Sequence, residues 1–89
     1  MGLHALEIRP ELHEKFLKMA KKERHRLEMI HKKVKQILEN PHHFKPLHKP
    51  MQGYRRVHID SSFVLTYSIN EESRTVILED FDHHDNVYE

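Results

Sequence analysis

The sequence predicts an α+β domain of order β-α-α-β-β-β, with two N-terminal helices packed on one face of a small, mainly antiparallel sheet. Three observations carry this. Apolar residues recur at helical spacing between Leu12 and Leu38. From Tyr54 onward the chain alternates or runs apolar at strand spacing. The two helices are consecutive and precede a meander, an order that puts both on one side of the sheet.

Taken in order, "HALEIRP" alternates, Leu6 and Ile8 facing one way and Glu7 and Arg9 the other, which predicts a short first strand. Pro10 suits the first position of a helix, where its missing N–H is not needed. Leu12, Phe16, Met19 and Ala20 then form one helical stripe. "KKER" marks a polar break. A second helix follows with Leu27, Ile30, Val34, Ile37 and Leu38 on one face and Arg24, Arg26, Lys32, Lys33 and Lys35 on the other. Asn40 is expected to close it in a left-handed conformation, and Pro41 cannot continue it.

"PHHFKPLHKPMQG", with three prolines and a glycine, reads as an irregular connector. In "YRRVHID", Val57 and Ile59 oppose Arg56, His58 and Asp60. "FVLTYSI" has the continuous apolar character of a strand buried on both faces. "NEES" is a four-residue hairpin turn, and "RTVILEDF" pairs back antiparallel. The sheet face away from the helices would be open, lined by Arg56, His58 and residues near the C-terminus.

An 89-residue chain is read as a single domain over residues 1–89, with a thin core. It has no cysteine, which excludes disulfides and thiolate metal sites and suits a reducing compartment. "MGLHALEIRP" lacks an apolar run of signal-peptide length, and no stretch approaches the roughly 20 apolar residues that span a bilayer. A soluble cytoplasmic protein without membrane association is the expectation. The net charge of +1 hides an asymmetry: residues 1–58 carry 14 basic and 6 acidic residues, and residues 59–89 carry 1 and 8. The basic body suits a polyanion such as RNA, or is simply a solvated pair of helix faces.

Three clusters could carry chemistry. Arg56 and His58, two apart on a strand, leave the same face. A cation beside an imidazole is useful where a phosphate is held while a proton moves; alternatively both are solvated surface residues. Lys45, Lys49, His42, His43 and His48 crowd the connector, as phosphate contacts or as a polar loop. The chain ends in "DHHDNVYE", which reads as a metal site, a proton-transfer site or a solvated tail. Adjacent histidines on a strand point to opposite faces, so His83 and His84 would not share an ion, and no H-x₃-H or HExxH pattern exists. No resident metal or other cofactor is therefore expected. Cleaving RNA without metal requires a proton taken from the 2′-hydroxyl, one given to the 5′-oxygen, and positive charge near the phosphorane. His, Tyr and Lys or Arg supply these, and a tyrosine ring can stack on a base. Gly-rich phosphate loops and nucleophile elbows are absent from a chain with only Gly2 and Gly53 and no strained turn around Ser61 or Ser62.

The closing "ILENP" of the second helix, "KPLHKPMQGYRRVHID", "SFVLTYSI" and the terminal "DHHDNVY" together resemble the RelE/ParE toxin superfamily, most closely its RelE/StbE and YafQ-like branch of messenger-RNA interferases. The resemblance covers essentially the whole chain, and its specific part is residues 44–88. It implies the toxin of a type II toxin–antitoxin pair: an endoribonuclease that cleaves messenger RNA in the ribosomal A site by metal-independent 2′-hydroxyl attack. Carried over by motif, His58, His84, Tyr88, Lys45 and Arg56 would be catalytic and Arg55 would bind phosphate; Lys49, His48 and His83 are the further candidate RNA-binding residues. His58 and His84 would move protons, their acid and base roles undecided. The cognate partner implied is a RelB-like antitoxin in a hetero-oligomer. Two departures stand out. Ser62 occupies the position of an aspartate in the YafQ-like pattern, with Asp60 offset from it, and Asp82 and Asp85 flank the terminal histidines where several RelE-type toxins are basic. A non-nucleolytic ParE-like gyrase inhibitor of the same fold is the alternative, and a histidine-rich metal carrier the third reading.

Overall fold

The computed structural model describes residues 3–46 and 53–87. Its elements are β1 (Ala5–Ile8), α1 (Pro10–Lys22), α2 (Arg24–Glu39), β2 (Tyr54–Ile59), β3 (Phe63–Asn70), β4 (Thr75–His83) and a short terminal helix α3 (His84–Val87). The expected order of two helices and four strands is present, and α3 is an addition to it. No helix among the described residues is long and apolar enough to cross a membrane.

Pro10 opens α1 without a side-chain cap, Glu11 lies in the first turn and Lys21 and Lys22 in the last, matching the helix dipole. Leu12, Phe16 and Met19 are buried, whereas Ala20, placed by periodicity on the same stripe, is exposed. Glu23 breaks the helical path with φ −135° and ψ 53°. Its N–H donates to the Met19 carbonyl at 2.7 Å, and its own carbonyl accepts from Leu27 N–H at 3.1 Å. One residue thus closes α1 and opens α2. In α2 the buried face is Ile30, Val34 and Ile37. Asn40 is not left-handed: its φ of −152° and ψ of 82° are extended. The proline that follows explains this, because its ring disfavours helical conformations in the preceding residue.

The strands form one sheet in the order β1-β4-β3-β2, with β1 parallel to β4 and the other pairs antiparallel. Val57, Ile59, Leu65, Tyr67, Val76, Leu78 and Phe81 face Leu12, Phe16, Met19, Ile30, Val34 and Ile37 in the core. The β3–β4 register slips between Thr66 and Tyr67, so Tyr67 pairs Leu78 while Thr66 pairs Asp80. Glu79 is the extra residue of this bulge, and it resets the alternation so that Phe81 returns to the core. The β3–β4 turn runs over residues 71–74, one position later than expected, because Asn70 still pairs Thr75. The Asn70 carboxamide oxygen accepts from the N–H groups of Glu72 and Ser73, which fixes that turn. Tyr67 is fully buried, and its hydroxyl donates to the Pro41 carbonyl at 2.6 Å, tying β3 to the end of α2.

Candidate functional site

Strand alternation separates β2 into two faces. Val57 and Ile59 enter the core, so Arg56 and His58 leave from the opposite face. The connector is laid beside this strand by its own backbone: Arg56 N–H donates to the Lys45 carbonyl at 3.1 Å, and Pro46 bridges Arg55. The result is a shallow cleft of about 500 Å³ lined by His43, Phe44, Lys45, Arg56, Val57 and His58. Lys45 and His43 of the connector therefore meet Arg56 and His58 of the strand, two clusters singled out separately in the sequence.

His84 comes to the same place from the far end of the chain. Phe63 pairs His83 at the end of the β3–β4 ladder, and the chain then turns into α3. The His84 N–H donates to the Ser62 carbonyl at 2.7 Å, so the terminal helix starts against the β2–β3 turn. There the His84 ring stacks on His58, with centroids 5.7 Å apart and planes 24° from parallel. His83 and His84 are indeed split, but not as neighbours on a strand: the strand ends between them. His83 packs edge-on against Phe63, at 5.5 Å and 72°.

His58 is exposed overall, but partial desolvation of its ring holds its pKa below the ordinary 6.5, and the positive charge of Arg56 and of His84 lowers it further. A neutral imidazole beside a guanidinium can accept a proton from a group whose neighbouring phosphate the guanidinium holds. The carboxylate of Asp85 lies 3.7 Å from a ring nitrogen of each of His83 and His84. Among the described residues no three histidine, aspartate or glutamate side chains converge as a metal-binding group.

Not every candidate arrives. Arg55 alternates to the helix side of β2, where its guanidinium donates to the Phe44 carbonyl at 2.8 Å. It fastens the connector and is not brought to His58. His42 pairs with Glu71 at 2.8 Å instead of lining the cleft. Tyr88, His48 and Lys49 lie outside the described residues. Asp60 has φ 57° and accepts from Ser61 N–H at 3.0 Å, so it shapes the β2–β3 turn. Its other oxygen is 3.9 Å from Arg26, whose guanidinium sits 4.3 Å over the Phe63 ring.

The both-face burial expected of "FVLTYSI" is present at Val64 and Thr66, whereas sequence reasoning does not find the bond that the Asn86 side-chain amide donates to the Asp82 carboxylate at 3.1 Å. Val64 alternates away from the core yet is fully buried, because α3 packs on β3 and β4 and closes over that face. The Asp82–Asn86 spacing of four is the available signal.

Residues 7–88 match the family described as the ParE toxin of type II toxin-antitoxin system, parDE. An uncharacterized protein of Methanosarcina mazei is 56% identical over 97% of this chain and 100% of its own length. A putative toxin, RelE4, of Methanocaldococcus jannaschii is 45% identical over 97% of this chain and 92% of its own. Among solved structures, the YoeB/ParE toxin from Agrobacterium tumefaciens superposes with a TM-score of 0.82 at 14% identity, covering 90% of this chain and 98% of that one. The DinJ-YafQ toxin-antitoxin complex of E. coli contains a chain with a TM-score of 0.73 at 17% identity, covering 99% and 100%.

Proposed function

The chain belongs to the ParE toxin family of type II toxin–antitoxin systems, within the RelE/ParE superfamily, and from that premise we propose that it is a messenger-RNA endonuclease working by metal-independent 2′-hydroxyl attack. The observation that carries this reading is the stacking of His58 and His84 beside Arg56 and Lys45. The neutral His58 takes the 2′-hydroxyl proton. The 2′-oxygen attacks the adjacent phosphorus, the bond to the 5′-oxygen breaks, and that oxygen leaves with a proton from His84. Arg56 and Lys45 face the charge that develops on the phosphorane. The products are a 2′,3′-cyclic phosphate and a 5′-hydroxyl. Tyr88, close behind α3 in sequence, supplies the ring on which a base stacks, and His48 and Lys49 supply further basic groups for the RNA.

The substrate is a message held in the ribosomal A site, and the setting is the cytoplasm. The partner is a RelB-like antitoxin that folds on contact and silences the toxin in a hetero-oligomer. The toxin-antitoxin complex of the DinJ-YafQ neighbour supports that form of pairing. End-group analysis of RNA from a translation reaction tests the proposal. Cyclic phosphate and 5′-hydroxyl ends are expected, and intact message contradicts it.

The family description favours a second reading, a toxin of ParE type that inhibits DNA gyrase without cutting RNA. A supercoiling assay run beside the RNA assay separates the two: loss of supercoiling with intact message supports the second reading.

A further inference from the structure

The sheet face opposite α1 and α2 carries a row of three laterally paired residues: His58 on β2, Val64 on β3 and Asp82 on β4. Val64, in the middle, is fully buried, whereas His58 is exposed and Asp82 half-buried. The terminal turn runs over this row. One Asp82 carboxylate oxygen accepts from the His83 N–H at 2.7 Å and from the Asn86 side-chain amide at 3.1 Å. It therefore grips both the residue before α3 and the third residue within it. The His84 N–H on the Ser62 carbonyl fixes one point of this turn but not its direction. The Asp82–Asn86 bond adds a second point, beside the longer bond from the Asp85 N–H to His83 Nδ1 at 3.3 Å.

We infer that Asp82 is the positioning residue for His84, its carboxylate bending the chain off β4 so that the His84 imidazole lies against His58. The departure of this acidic position from the basic tails of related toxins then has a mechanical reason. The acid is spent on the turn and not on the RNA. The charge environment agrees. The hydrogen bond from Asn86 is the largest influence holding the Asp82 carboxyl below its ordinary value; burial opposes it, while the His83 N–H and the charges of Lys15 and His83 add to it. Asp85 is the other carboxylate at the turn, 82% exposed and beside the histidine rings rather than at the Asn86 amide.

The geometric part of the inference is independent of the RNA reading; only its consequence for cleavage rests on that reading. The test is an NMR comparison of the full chain with Asp82→Ala, Asp82→Asn and Asn86→Ala. The readouts are the ring-to-ring nuclear Overhauser effect between His58 and His84 and the His58 titration. Asp82→Ala and Asn86→Ala should lose the cross-peak. They should also move the His58 titration upward, because the His84 charge has withdrawn. Asp82→Asn keeps an oxygen acceptor and should restore both. The exposed Asn86 variant keeps the test available if Asp82→Ala does not fold. A cross-peak and titration unchanged in both alanine variants overturn the inference, as does Asp82→Asn behaving like Asp82→Ala in a folded protein. In RNA cleavage the two alanine variants should lose about a hundredfold, the usual consequence of displacing a reacting group by an ångström. If wild type cuts no RNA, the nuclease reading fails while the cross-peak still decides the inference.

Discussion

The imidazole rings of His58 and His84, 26 residues apart in sequence, lie 5.7 Å apart and nearly parallel on the sheet face opposite the helices. Partial desolvation, Arg56 and His84 all act to keep His58 neutral. Its titration, followed by NMR, should fall below 6.5 and move upward in Arg56→Gln. The effect on stability has a definite sign. The unfolded chain takes up the His58 proton first, so stability is complete above pH 6.5 and declines as pH falls toward the folded value. His58→Gln should remove that part of the decline in a series of urea melts. A slope unchanged by the substitution contradicts the assignment.

Tyr67 joins β3 to Pro41, two residues past the end of α2, and burial raises its pKa to about 12. The Pro41 carbonyl would lose its donor in Tyr67→Phe, which should cost about 1 kcal/mol by chemical denaturation. Because the folded pKa is raised, the wild-type advantage is present below pH 10 and is lost as pH climbs toward 12. Alkaline melts of both proteins should converge. Equal stability at neutral pH would show that the bond contributes nothing.

How far these elements can be read from the sequence depends on the range of the interaction. The stripes Leu12, Phe16, Met19 and Ile30, Val34, Ile37 are local, and periodicity finds them. The Arg56 and His58 face follows from alternation about Val57 and Ile59. Arg55 shows what charge alone does not place: the same alternation puts it with Val57, away from His58, where it donates to the Phe44 carbonyl. The bulge at Glu79 and the grip of Asp82 on Asn86 depend on partners several residues or a strand away. No single-residue propensity announces them. Asn40 shows a local failure, its left-handed tendency overruled by the proline after it.

Glu79, the bulge residue, accepts two bonds from the Arg9 guanidinium, at 2.9 and 3.2 Å, and one from the Ser68 hydroxyl at 2.6 Å. Burial alone would raise its carboxyl, but these bonds outweigh it and hold the group below its ordinary range. The pair tethers the end of β1 to β4. Glu79→Gln should cost about 1 kcal/mol at neutral pH. The wild-type advantage is present above pH 4.5 and is lost as pH falls through the folded value, so the two melts should approach each other in acid. A gap that widens in acid would contradict a lowered carboxyl pKa.

The central claim is that His58 and His84 act together on RNA, and primer-extension mapping of a translated message tests it most directly. Wild type should produce discrete stops within the reading frame. His58→Ala and His84→Ala, each folded by circular dichroism, should remove those stops, with losses of about a hundredfold or more, as expected for a group that transfers a proton. Stops that persist at wild-type intensity in both variants would contradict the account.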